Sequence, residues 1–296
     1  MKREFARLAP ETWAFQRRTW RAIALPSIAV RGGRFERTRL AGMEAEWITP
    51  NELLADPDAR NRTTLLYLHG GAYVFGTIDE YRDFALRIAR AANACAVVVG
   101  YRLAPEHPFP AALDDAIAAY EALVASGIPA TSIVVAGDSA GGGLTASLLV
   151  ALRERGVALP AGAVLVSPWV DLAARGGTLV SNQPHDFFTP ALVQHWARTV
   201  LDGADEADPR ASPLRADLRE LPPLLVQVGG AEMILDQVVA FAARARAAGV
   251  DARLRVWDDC FHDWPLFAAV LGDGRLAVEE IGAFAREVTG SHREGA

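Results

Sequence analysis

A chain of 296 residues that is 51% apolar and 22% charged has an ordinary globular composition, which excludes an intrinsically disordered protein. Its net charge of -6 argues against nucleic acid as a partner, because nucleic-acid-binding domains present a basic face. Two cysteines, Cys95 and Cys260, make no disulfide framework and point to a reduced, cytoplasmic setting, and no apolar run reaches the roughly 20 residues that a membrane-spanning helix needs.

The first forty residues are basic against this acidic background. Lys2, Arg3, Arg7, Arg17, Arg18, Arg21, Arg31, Arg34, Arg37 and Arg39 face only Glu4, Glu11 and Glu36. Glu4 and Arg7 interrupt what would be the apolar region of a signal peptide, so the segment reads as part of the mature protein. Two readings fit it. One is a helix lying on a membrane surface; the other, which we favour, is a lid helix with Phe5, Leu8, Trp13, Phe15 and Trp20 turned inward.

Residues 31–50 read as two early strands joined around Gly42, an antiparallel start to a sheet. Short apolar runs then alternate with helical patterns. Thr64–Leu68, Ala96–Gly100, Ile133–Gly137, Ala163–Ser167 and Leu224–Gly229 are continuous apolar strands, the pattern of a parallel sheet covered on both faces. Helix-length segments fall between them at about 79–92, 110–126, 140–155 and 236–248. Arg253–Trp257 completes the set as a strand nearer the edge. Strand and helix in alternation mean an α/β fold with right-handed crossovers. Over fifty residues separate the strand ending at Ser167 from the next at Leu224. Within them Thr189 can cap a helix that has Pro190 at its first position. Insertions of this length tend to be functional lids. We therefore expect residues 1–40 and 181–210 to form a cap over a core made of 41–180 and 211–296.

The strongest local signal is Gly137-Asp138-Ser139-Ala140-Gly141, which fits G-x-S-x-G directly after a buried strand and directly before a helix. A serine on so tight a turn is lifted out of the sheet, and the helix behind it offers free N–H groups and a positive dipole end. The second signal is His69-Gly70-Gly71-Ala72-Tyr73 at the end of a strand. Its glycines allow close approach of backbone to a ligand. The site is therefore expected to hold an oxyanion hole built around Gly70, Gly71, Ala72 and Ala140, with the N–H groups of Gly71, Ala72 and Ala140 as donors. His69 reads as an orienter of that loop, since no second ligand stands at metal spacing beside it.

Together with Tyr101-Arg102-Leu103-Ala104-Pro105-Glu106-His107-Pro108 and Asp114-Asp115, these motifs resemble the signature set of the hormone-sensitive-lipase-like esterases, bacterial family IV. The likeness covers residues 63 to 265, with Ala72 where the family often has a third glycine. The resemblance implies an α/β-hydrolase fold with a mostly parallel eight-stranded sheet, a helical cap, and hydrolysis of short- to medium-chain acyl esters without cofactor or metal. It also implies that Asp138 and Glu106 tie the turn at Ser139 to the 101–110 loop.

The order serine, acid, histidine makes His262 the base, on the loop after the last strand; His107, His185 and His195 read as surface or packing residues. For the acid, alignment with the family favours Glu232, in the turn after the strand at 224–229. Asp236 is the alternative, with a competing role as a helix N-cap. Phe187, Phe188 and Trp196 either shape a substrate pocket or form cap core. The partner expected is a small ester, with no nucleic acid and no stable membrane association, and a homodimer is compatible with the sequence. Two other functions use the same scaffold: a ligand-binding receptor, and a hydrolase of amides, carbamates or lactones.

Overall fold

The computed structural model describes residues 31–290 together with Trp13 and Arg17. Eight strands form one sheet in the order β1-β2-β4-β3-β5-β6-β7-β8. β1 (Gly33–Leu40) and β2 (Met43–Pro50) form an antiparallel hairpin, and β2 also runs antiparallel to β4. The hairpin turns on Ala41 and Gly42, both at positive φ, which suits the right-handed twist of the paired strands. The remaining strands, β3 (Thr64–Leu68), β4 (Cys95–Val99), β5 (Ile133–Asp138), β6 (Gly162–Val166), β7 (Leu224–Gly229) and β8 (Ala252–Trp257), pair in parallel.

The boundary expected at residue 40 therefore moves. Gly33–Leu40 is an edge strand of the sheet, not cap, and the reason is its pairing along its whole length with β2. Its arginines sit where an edge strand meets water; Arg37, for example, pairs with Asp79 and Glu46. The expectation for residues before 31 lies outside the described residues, Trp13 and Arg17 excepted.

The central strands are apolar throughout because successive side chains enter different cores. Leu65, Tyr67, Val98, Val134 and Val164 face one side, covered by α1 (Ile78–Ala92) through Tyr81, Phe84 and Ile88. Leu66, Leu68, Val97, Val135 and Leu165 face the other. That side is covered by α2 (Ala111–Ala125), α3 (Ser139–Glu154) and α5 (Leu235–Ala247), and α4 (Pro190–Leu201) joins the same core through Trp196, Ala197, Val200 and Leu201. α4 starts as its sequence implies: Thr189 Oγ1 accepts from Leu192 N at 3.2 Å, with Pro190 in the first turn. A further helix, α6 (Gly272–Val288), packs against α1, and its Ile281, Phe284 and Ala285 join the first core. This layout leaves the loops after β3, β5, β7 and β8 together at the carboxyl ends of the strands, where open α/β sheets bind ligands.

Candidate active site

β5 runs into α3 with no intervening loop, and the junction is Ser139, at φ +50°. A non-glycine residue in the left-handed region costs about 1–3 kcal/mol and persists only where its surroundings hold it. The holding is done by close backbone packing. A Cβ on Gly137 would strike the backbone of Gly141, and a Cβ on Gly141 would strike the carbonyls of Leu68 and His69. Both glycines of G-x-S-x-G are thus fixed by lack of space. Gly141→Ala is expected to destabilise the fold by about 2–3 kcal/mol, since rigid backbone cannot yield as a side chain would. Urea denaturation of the variant beside the parent measures it.

Three distant side chains meet at this turn. His262 Nε2 lies 2.8 Å from Ser139 Oγ, and His262 Nδ1 lies 2.8 Å from Glu232 Oε2. Glu232 is fully buried, and its other oxygen accepts from Ser167 Oγ at 2.7 Å and from Gly229 N at 2.5 Å. Burial pushes this carboxyl up; the histidine and the two donors oppose that by favouring the ionised form. On His262 the opposition wins. Burial alone would lower the imidazolium, but the carboxylates of Asp263 and Glu232 hold it above its ordinary value.

Asp236, the alternative acid, faces elsewhere. Its Oδ2 accepts from Thr178 N at 3.1 Å, and its own N–H donates to Thr178 Oγ1 at 3.0 Å. This reciprocal pair fastens the Thr178–Ser181 turn to α5. Nor is Asp236 the N-cap of α5; Ile234 occupies that position and Asp236 lies in the first turn.

The 69–73 loop approaches Ser139 from the end of β3. Gly71, Ala72 and Tyr73 all have positive φ, and Gly71 O closes the turn by accepting from Val74 N and Phe75 N. The N–H groups of Gly71, Ala72 and Ala140 donate to no described residue, and Gly71, Ala72 and Ser139 line one pocket. Gly70 departs from expectation: its N–H donates to Asp138 Oδ1 at 2.9 Å, so it shapes the loop and is not a free donor. His69 is buried between Tyr101 and Tyr81, and its Nδ1–H donates to Gly70 O at 2.7 Å. Burial lowers its pKa to about 4, so the ring is neutral and structural at neutral pH.

Asp138 and Glu106 do not share a task. Asp138 ties the Ser139 turn to β3 and the 69–73 loop, accepting from Tyr67 OH at 2.5 Å as well as from Gly70 N. Glu106 instead pairs with Arg17, which also donates to the carbonyls of Val74 and Ala104. The 101–110 loop is held by Arg102 on Asp115 and by Ala104 N on Tyr73 O.

A pocket opens over Ser139, lined also by Gly71, Ala72 and His262. Its walls are mainly apolar, from Phe75, Trp169, Phe188, Val193 and Trp196. Phe188 and Trp196 serve both roles weighed for them, lining the pocket while packing on each other edge to face. Phe187 does not line it; it packs on Phe188 and Phe261. Sequence reasoning missed Ser167, which had no signal beyond its place at a strand end, and Asp186, whose Oδ2 accepts from Met233 N at 2.7 Å and steadies the turn carrying Glu232. It assigned nothing to Asp263, the neighbour of His262. Among the described residues no cluster of side chains could hold a metal ion, and no helix is long and apolar enough to cross a membrane.

A family model described as alpha/beta hydrolase fold matches residues 65–266. The chain is 42% identical over 247 residues to an acetyl-hydrolase of Streptomyces hygroscopicus, covering 83% of this chain and 80% of the relative. It is 34% identical to an ethyl acetate hydrolase of Pseudomonas putida, over 73% and 70% of the two chains. Among solved structures, an esterase from the bacterial hormone-sensitive lipase family superposes with a TM-score of 0.89 at 43% identity, over 97% and 95% of the two chains. A mutant of the esterase E40 superposes with a TM-score of 0.91 at 44% identity, over the same shares.

Proposed function

The chain belongs to the alpha/beta hydrolase fold family, in its bacterial hormone-sensitive-lipase branch, and from that premise we propose that this ester hydrolase cleaves short- to medium-chain acyl esters through an acyl-enzyme on Ser139. The observation that carries the reading is the unbroken chain from Ser139 Oγ to His262 to Glu232, with spare main-chain N–H groups lining the same pocket.

In this mechanism His262 Nε2 takes the proton of Ser139 as Oγ attacks the ester carbonyl. Glu232 accepts from Nδ1–H, fixes the tautomer, and stabilises the imidazolium that forms. The N–H groups of Gly71, Ala72 and Ala140 receive the negative oxygen; each such donor is typically worth about 10²–10³ in rate. His262 then protonates the leaving alcohol, and water repeats the cycle on the acyl-enzyme.

We read residues 181–210, with the segment holding Trp13 and Arg17, as the cap. Support comes from the cap-side walls of the pocket and from Trp13, whose ring stacks on His195 of α4 at 5.6 Å. The acetyl and ethyl acetate substrates in the relatives' names favour short acyl groups. A cytoplasmic setting is supported by two buried cysteines that form no disulfide, and a homodimer by the open edge of β8 with its exposed Val256.

The test combines a label and a substrate series. A fluorophosphonate should modify the protein once, on the peptide carrying Ser139. Across p-nitrophenyl esters, kcat/KM should peak at acetyl to hexanoyl chains and fall for lauroyl and longer. Labelling elsewhere, or rates that rise with chain length, would contradict the reading.

A further inference from the structure

His262 Nε2 has two neighbours. Ser139 Oγ reaches it at 2.8 Å with hydrogen-bond geometry, and Asp263 Oδ2 stands 3.2 Å from the same atom in ion-pair contact. Asp263 is built into that position. Its backbone is left-handed, at φ +57°, directly after His262. Its N–H donates to Ser167 Oγ at 3.2 Å, and that hydroxyl donates in turn to Glu232. Its carboxylate lines the pocket with Ser139, and its buried Oδ1 has no hydrogen-bond partner among the described residues.

An imidazole has one in-plane site at Nε2. With Nδ1–H given to Glu232, a neutral ring presents a lone pair there. Asp263 Oδ2 stands beside that site, off the line to Ser139 Oγ, so its negative charge favours a proton on Nε2 without accepting a hydrogen bond from it. The serine hydroxyl needs that lone pair empty of any other proton. We propose that Asp263 is a second carboxylate of the catalytic centre, which holds a proton at Nε2 of His262 in competition with the Ser139 hydroxyl and so sets the pH above which the serine can be activated. This rests on the role given to His262 above.

The proton accounting is closed. Below the switching pH the extra proton sits on Nε2, directed at Ser139 Oγ and held there by the charge of Asp263 beside it. Above it that proton leaves to solvent, Asp263 is ionised, and Ser139 donates to Nε2. During attack the proton passes from Oγ to Nε2, where Glu232 and Asp263 flank the imidazolium, and then to the leaving alcohol. The other charged groups whose fields reach this pair are Asp186 from the cap segment and Asp138 from β5, both negative when ionised, and the hydroxyls of Tyr67 of β3 and Tyr81 of α1 lie close enough to be affected by the charge of Asp263. Burial pushes the Asp263 carboxyl up while His262 is held up by the same neighbour, as expected where one proton serves two groups.

Asp263→Asn keeps the shape and tolerates the left-handed backbone; Asp263→Gly accepts it without strain and removes the carboxylate. Histidine 1H–15N spectra against pH, with the His262 signal identified by its loss in His262→Gln, read the proton directly and without turnover. In both variants the midpoint is expected to fall by about one to three pH units, the usual effect of losing an adjacent opposite charge. The acid limb of kcat/KM for p-nitrophenyl acetate should fall with it. Each unit gives about a tenfold gain at pH values below both midpoints. An unmoved midpoint in both variants overturns the proposal even if hydrolysis is intact. A lowered midpoint in a protein that hydrolyses no ester would support Asp263 as the proton holder and sink the esterase reading instead.

Discussion

Ser139→Ala is expected to lower kcat for p-nitrophenyl acetate by about 10⁶-fold, the scale seen when a hydrolytic serine is removed, while leaving the protein folded. The two halves of this expectation have separate grounds. The substitution deletes one oxygen and its hydrogen bond to His262 Nε2, a contact worth about 1 kcal/mol to the fold. Alanine tolerates φ +50° no better and no worse than serine, so the strain in the turn is unchanged. For a domain of this size a loss near 1 kcal/mol moves Tm by only about 2–4 °C. The chemistry has no such reserve. Without Oγ there is no acyl-enzyme, and what remains is binding plus the main-chain donors, which typically retain about 10³–10⁴ over the reaction in water. Stopped assays at high enzyme concentration, alongside thermal melts, check both halves. Turnover near the parental rate would mean that the reaction does not pass through this hydroxyl.

How much of this was legible before the structure depends on the kind of signal each residue gives. The strands of the parallel sheet were readable because burial on both faces writes itself as an unbroken apolar run, as in Leu65–Leu68 and Val134–Ala136. α6 was readable too, since Ala277, Val278, Ile281, Phe284, Ala285 and Val288 carry helical spacing, but a reading led by alternating strands stops at β8. The Ser139 turn was readable because its glycines are imposed by backbone contact within a few residues. Other facts were not. Whether Gly70 offers a free N–H depends on Asp138, sixty-eight residues away. That Glu106 answers to Arg17 and not to the Ser139 turn depends on a pairing across eighty-nine. Hydrogen bonds of that span leave no periodicity in a sequence. Asp263 is a different case: it stood in plain view beside His262, yet nothing in the sequence indicates that a left-handed residue would turn its carboxylate back onto Nε2.

The choice of acid produces the second large effect. Glu232→Gln is expected to reduce kcat by about 10⁴-fold, and Asp236→Asn to change it by less than about tenfold. Glutamine is nearly the same shape and can keep the bonds from Ser167 and Gly229 through its carbonyl oxygen. Its amide would then face His262 Nδ1 as a donor, at the position where a carboxylate now accepts. The ring would answer by moving its proton to Nε2, the tautomer that cannot take a proton from Ser139. The same change also removes the buried charge that stabilises the imidazolium. Asp236→Asn touches none of this, because that carboxylate spends its bonds on Thr178 and Gln237. Its cost should fall on stability, where losing a charge-assisted bond in an exposed turn amounts to about 1 kcal/mol or less. Measuring kcat and urea midpoints for the two variants together separates the roles: activity should collapse in the first with modest change in midpoint. Comparable loss of kcat in both would mean that the turn after β7 acts as a unit, and a larger loss in Asp236→Asn would transfer the acid's role to the residue whose side chain here faces the neighbouring turn.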